Sequence, residues 1–134
     1  MLVEINNQTK EEIDLGLVKK IIKLFLRSRR LNNKEVSLAF VDDKVIKKIN
    51  KTYRNLDQVT DVLSFVGENN FLGEIIIDYS QIKKQAKQFN HSVKQELIFI
   101  LVHGLLHLVG YDDATDKEAE EMEKQTKRWL QKFY

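Results

Sequence analysis

The segment from Ser92 to Gly110 constrains this chain more than any other. Its sequence, SVKQELIFILVHGLLHLVG, opens with a serine followed three residues later by a glutamine, the pattern of a helix-capping box. It continues as a helix that is apolar almost all the way round. Such a helix has no solvent face, so the rest of the chain must wrap it. The apolar run from Leu97 to Val109 is interrupted by two histidines. It also falls short of the roughly 20 residues that cross a bilayer, so the helix is expected inside a protein core rather than a membrane.

The flanking segments supply the wrapping. Leu2 to Ile5 reads as a short strand. Thr9 and Glu12 have capping-box spacing ahead of a helix with Ile13, Leu17, Val18, Ile21, Ile22 and Phe25 on one stripe. Val36 to Val41 is rich in strand-forming residues, and Asp42 can cap a helix bearing Val45, Ile46, Ile49 and Tyr53. Val62 to Val66 and Glu74 to Asp78 are apolar strands separated by GENNFLG, which has hairpin turn residues but leaves the register open. Ile82, Ala86 and Phe89 mark another amphipathic helix. Thr115 and Glu118 cap a last one with Ala119, Met122, Thr126, Trp129, Leu130 and Phe133 inward. The expected fold class is α+β, a small mixed four-stranded sheet covered by about five helices with the histidine-bearing helix at its centre.

With 134 residues, no proline and no visible linker or repeat, the chain is expected to form a single domain over residues 1–134. It has no cysteine, so neither disulfides nor thiolate ligands are available, and the cytoplasm is the expected compartment. The N-terminus does not read as a secretory signal. A formal net charge of +2 neither demands nor forbids a polyanionic partner, but the distribution is uneven. Lys19 to Arg30 and Lys44 to Arg54 are basic, whereas Asp112 to Glu123 is acidic.

His103 and His107 are four residues apart, which sets their Cβ atoms roughly 5–6 Å apart on one helix face, within reach of one ion. Gly110 can end the helix in a left-handed conformation and turn the chain so that Asp113 approaches the same point. The pattern H-x-x-x-H-x-x-G-x-x-D has metzincin spacing, with aspartate in the usual place of the third histidine. Two histidines and a carboxylate suit one transition-metal ion per chain, zinc above all, with a coordination position left for water. A lone histidine on an apolar helix is ordinarily a satisfied core residue; two buried imidazoles without partners would each cost about 1–3 kcal/mol. Asp112, Asp113 and Asp116 also suit a helix start, which weakens the case for Asp113 taken alone. His91 lies about 18 Å from His103 by helical rise and is a poor third ligand. Where zinc proteases place a glutamate after the first histidine, this chain has Gly104. That change disfavours peptide hydrolysis and leaves phosphodiester cleavage as the natural metal-assisted reaction.

Three blocks in order resemble the YbeY endoribonucleases, a family of bacterial rRNA-maturation factors. HGLLHLVGYDD at 103–113 resembles the family signature, YRNLDQVTDVLSF at 53–65 its arginine-to-strand block, and LGEIII at 72–77 its Leu-Gly-Asp-Ile strand. The resemblance implies a single-strand-specific, metal-dependent endoribonuclease in 16S rRNA 3′-end maturation and ribosome quality control. Its partners would be the rRNA precursor and the ribosome or small-subunit proteins, with neither DNA nor membrane. Two of the family's three zinc-binding histidines fall on His103 and His107, and the third on Asp113. The family's RNA-contacting arginine falls on Arg54, implied here as both a catalytic and a substrate-binding residue. Val59 and Val66 replace its usual prolines. A guanidinium fork suits phosphate, and Lys47, Lys48 and Lys51 precede Arg54, although lysines opposite an apolar stripe usually form only a solvated face. Asp61, Ser64 and Glu74 are candidates for orienting Arg54 or lining a cleft. Two other readings remain from the residues, a metallopeptidase and a non-catalytic ribosome-binding factor with a structural metal.

Overall fold

The computed structural model describes residues 2–133. Strands β1 (Val3–Asn7), β2 (Glu35–Val41), β3 (Val62–Val66) and β4 (Phe71–Asp78) form one sheet in the order β1-β2-β4-β3. β1 pairs parallel with β2 and β2 parallel with β4, whereas β3 returns antiparallel beside β4, so the sheet is mixed. The helices are α1 (Leu15–Ser28), α2 (Asp43–Arg54), α3 (Tyr79–Gln88), α4 (Val93–Leu108) and α5 (Asp116–Leu130). No helix is long and apolar enough to cross a membrane among these residues.

Alternation along the strands divides the apolar residues between the two faces. Val36, Leu38 and Phe40 of β2 and Ile75 and Ile77 of β4 join the larger core with α1, α3, α4 and α5. Ala39, Val41, Leu63 and Ile76 point the other way and are covered by Ile46 of α2. Helix α4 touches α1, α3, α5, β3 and β4, which accounts for a sequence with no polar face. Its capping box is present as the sequence predicts, with Ser92 Oγ accepting from Gln95 N at 3.0 Å.

Three expectations are corrected at element ends. The first helix starts at Leu15, capped by Asp14, whose Oδ1 accepts from Leu17 N at 3.0 Å. Thr9 Oγ1 instead accepts from Glu11 N and donates to Asn7 Oδ1, a local turn that competes with helix entry and leaves Ile13 ahead of the helix. Tyr53 is 68% exposed and Phe89, just past the end of α3, is 58% exposed. Tyr53 packs its ring 5.4 Å from Phe65 rather than into the core.

The hairpin register left open by the sequence is set by close backbone approach. Val66 pairs with Gly73, and Gly67 N donates to Leu72 O at 2.9 Å. Gly73 has φ +153, and a Cβ there would lie 2.4 Å from Phe65 O and 2.6 Å from Leu108 Cδ2. At the far end of β4, fully buried Asp78 caps α3, its Oδ1 accepting from Ser80 N at 3.0 Å and Ser80 Oγ at 2.7 Å. The same Ser80 hydroxyl lies 2.8 Å from Asp43 Oδ1, so two carboxyls meet where α2 and α3 begin. Burial pushes Asp78 up to about 6, while hydrogen bonding from Asp78 holds Asp43 down to about 2.

Gly73→Ala is expected to destabilise the fold by about 2–4 kcal/mol through strain and overpacking, read as a shift in the urea midpoint. Between about pH 4 and 6 native Asp78 keeps a proton that the unfolded chain has released, so stability declines as pH rises through that window. Asp78→Asn retains the capping oxygen and is expected to abolish that decline in urea titrations run at successive pH values.

Candidate metal centre

The site is assembled by the way α4 ends. Gly110 N donates to His107 O at 3.1 Å and Tyr111 N donates to Leu106 O at 3.0 Å, the two bonds of a Schellman motif with Gly110 at φ +102. This reversal brings Tyr111 O to 3.0 Å from His107 Nδ1. A carbonyl only accepts, so Nδ1 carries the proton and the lone pair of His107 sits on Nε2. That Nε2 lies 3.1 Å from His103 Nε2, with the rings edge to face at 81°.

The donor set fits a metal. Ligand atoms of His103, His107 and Asp113 all lie within 4.8 Å of one another. Two imidazoles bound tetrahedrally to zinc place their nitrogens about 3.3–3.4 Å apart, given bonds of about 2.0–2.1 Å, within a few tenths of the separation here. Burial, reinforced by the neighbouring His107, lowers the pKa of His103, which keeps its ring neutral and its lone pair available. The carbonyl behind His107 is the kind of outer partner that fixes a ligand's tautomer.

These residues form one wall of a cleft of about 600 Å³. The other wall is the C-terminal turn of α2, the following loop and β3. Arg54 Nη2 donates to Ser64 O at 2.8 Å, and its guanidinium lies 5.3 Å above the Phe65 ring. Strand and arginine are thereby joined through the main-chain carbonyl of Ser64 and not through its side chain. The Ser64 hydroxyl turns the other way and donates to Gly104 O at 3.1 Å. Asp61 lines the cleft yet bonds to Thr60 and Gln85, and Glu74 lies outside it beside Ser37. Lys47, Lys48 and Lys51 do not line the cleft; they are exposed along α2. His91 is bound to buried Glu96 at 2.6 Å, away from the cleft.

Sequence reasoning missed Asn50 and the Tyr111 carbonyl. Asn50 is 2% exposed and donates to Gln58 O at 3.0 Å, which ties the loop carrying the cleft wall to α2. Its signal was legible, a polar residue beside Ile46 and Ile49 on the inward stripe. The carbonyl has no signal in side-chain identity.

Gly104 is explained by packing. A Cβ at that position would stand 3.2 Å from Ile75 Cγ2 and 3.3 Å from Ser64 Oγ, so residue 104 faces the sheet and not the histidines' cleft. The glutamate that zinc proteases carry here has no room.

The fold and this cleft define an α+β protein with a site able to hold one metal ion. A family model described as Endoribonuclease YbeY matches residues 4–134. Relatives with the same description include one from Alkaliphilus metalliredigens, 39% identical over 92% of this chain and 88% of its own length. Another, from Finegoldia magna, is 36% identical over 99% of this chain and 94% of its own length. The solution structure of a Thermotoga maritima protein superposes with a TM-score of 0.73 and 29% identity, covering 96% of this chain and 87% of that one. This chain belongs to the YbeY endoribonuclease family.

Gly104→Glu is expected to lower stability by about 3 kcal/mol or more, because it forces a carboxylate against β3 and β4. The variant should gain no cleavage of a casein substrate; peptide hydrolysis by folded Gly104→Glu would show that residue 104 reaches the cleft.

Proposed function

We propose that this chain is a metal-dependent endoribonuclease that cleaves single-stranded RNA, with one zinc ion held by His103, His107 and Asp113. The observation that carries this reading is the convergence of those three donors in a cleft whose opposite wall presents Arg54. Membership of the endoribonuclease family supports RNA as the substrate class. In finer terms, the proposed substrate is the 16S rRNA precursor near its 3′ end, met on the ribosome or its small-subunit proteins in the cytoplasm, and residues 1–134 act as one domain.

When bound, the zinc ion would polarise a phosphoryl oxygen and lower the pKa of water. The chain's own residues do the rest. Arg54 is anchored by Ser64 O and restrained over Phe65, which leaves its other N–H groups to meet a phosphate across the cleft. Restraint before substrate arrives reduces the entropy lost on binding. Leu56 and Val66 are exposed apolar side chains lining the same cleft, and with Tyr111 they offer contact surface to bases that are unstacked, as in single strands. Asp113 in place of a histidine adds a negative charge, which reduces the net positive charge presented to phosphate and should be offset in part by Arg54.

Elemental analysis of purified protein is expected to find about one zinc per chain, lost in His107→Ala. Arg54→Ala should keep the metal while cleaving single-stranded RNA about 10- to 100-fold more slowly, the scale of losing one positioned donor. Equal metal in wild type and His107→Ala would remove the ligand assignment. Intact rRNA precursor after incubation with fully loaded wild type, alone and on ribosomes, would remove the nuclease assignment.

A further inference from the structure

Every charged residue between Leu15 and Lys34 is lysine or arginine. Helix α1 sorts them by face. Its buried stripe is Val18, Ile21, Ile22, Phe25 and Leu26, and Lys19, Lys20, Lys23 and Arg27 fall on the opposite side. Three shallow grooves run together over this side and the C-terminal end of α5, sharing Lys20, Leu24, Arg27, Ser28, Trp129 and Lys132 along their borders. Arg128 and Arg29 complete the charged lining, and among the described residues no carboxylate lines any of the three. None of these cations is paired with a carboxylate among the described residues. The grooves also contain aromatic carbon, with Phe133 half-buried and Lys132 Nζ 4.0 Å above the Trp129 ring.

This surface is continuous with the metal cleft. The Arg29 guanidinium lies 5.1 Å from the Phe25 ring centre and 5.3 Å from that of Tyr111. Tyr111 lines the cleft and Arg29 lines the groove, so the two side chains form a bridge between them.

We infer that the α1–α5 surface is a second RNA-binding surface, a track for single-stranded phosphodiester backbone flanking the segment held in the cleft. The inference rests on the RNA reading of the cleft given above. Unpaired cations beside aromatic carbon match a flexible polyanion with exposed bases, and continuity with the cleft gives the strand a route. A lipid surface would fit the charge but not the bridge, and among the described residues the grooved face lacks the exposed large apolar side chains that insert into a bilayer interface.

The test compares wild type with Lys19→Ala/Lys20→Ala/Lys23→Ala/Arg27→Ala, using fluorescence anisotropy of labelled oligouridylates of about 4 and about 24 nucleotides, chosen to fill the cleft alone or to extend beyond it. The four side chains are not among the buried residues of α1, and circular dichroism melts of the variant serve as the check that it is folded. The long oligomer is expected to bind at least about tenfold more weakly to the variant, with a log–log salt slope smaller in magnitude by about two to three. The short oligomer should bind unchanged, and restoring charge with arginine at all four positions should restore the long oligomer's affinity. Unchanged binding of the long oligomer, or equal losses for both lengths, would overturn the inference. So would variant-sensitive binding to phosphatidylserine vesicles with RNA affinity unaltered. If wild type cleaves no RNA yet the long oligomer shows the expected loss, the surface stands and the nuclease assignment falls.

Discussion

The structure depends on how closely α4 lies against β3 and β4. Gly104 permits that approach, and Ser64 fixes it by donating to the carbonyl of the same residue. Because α4 is buried on all but the stripe of Phe99, His103 and His107 beyond its first turn, the sheet and three other helices are arranged around it. The histidines occupy the one stretch of α4 that looks past the sheet edge into a cleft. A buried and capped helix is a stiff platform, and histidines spaced one turn apart on such a platform would need little further ordering to hold a metal.

The same contact joins the two halves of the site. Ser64 uses its hydroxyl toward α4 and its carbonyl toward Arg54, so one strand residue touches both the helix of the histidines and the arginine that faces them. Displacement of β3 would therefore move Arg54 and α4 relative to each other. Gly73 guards that position through its close approach to Phe65 O on β3 and to Leu108 at the end of α4. Stability of the hairpin and geometry of the cleft are thus one problem in this fold.

Charge is distributed according to task. The cleft is mixed, with Arg54 and Asp61 on one wall and Asp112 and Asp113 on the other, whereas the charged residues lining the α1–α5 grooves are all cationic among the described residues. Affinity for a polyanion drawn from the grooves leaves the cleft free to be tuned for a metal and a reacting phosphate. The aspartate at position 113 makes that division more valuable, since its carboxylate would subtract positive charge from a metal held with His103 and His107.

Much of this was legible in the sequence, because periodicity and capping are local. The all-round apolar character of α4, its capping box and the spacing of His103 and His107 pointed to a buried helix with paired imidazoles on one face, and Gly110 announced the turn that brings Asp113 near them. Local signals failed where a second local motif competed for the same group, or where the reach of the core decided burial. Thr9 had capping-box spacing, yet its hydroxyl was taken by a turn with Asn7 and Glu11, and Tyr53 sat on the helical stripe but outside the reach of the core. Only tertiary structure decided that Gly104 faces the sheet, that Arg54 is held by a carbonyl of β3, and that the Tyr111 carbonyl sets the His107 tautomer. Main-chain groups carry the last two, and every residue has the same main chain, so no reading of side-chain identity can assign them.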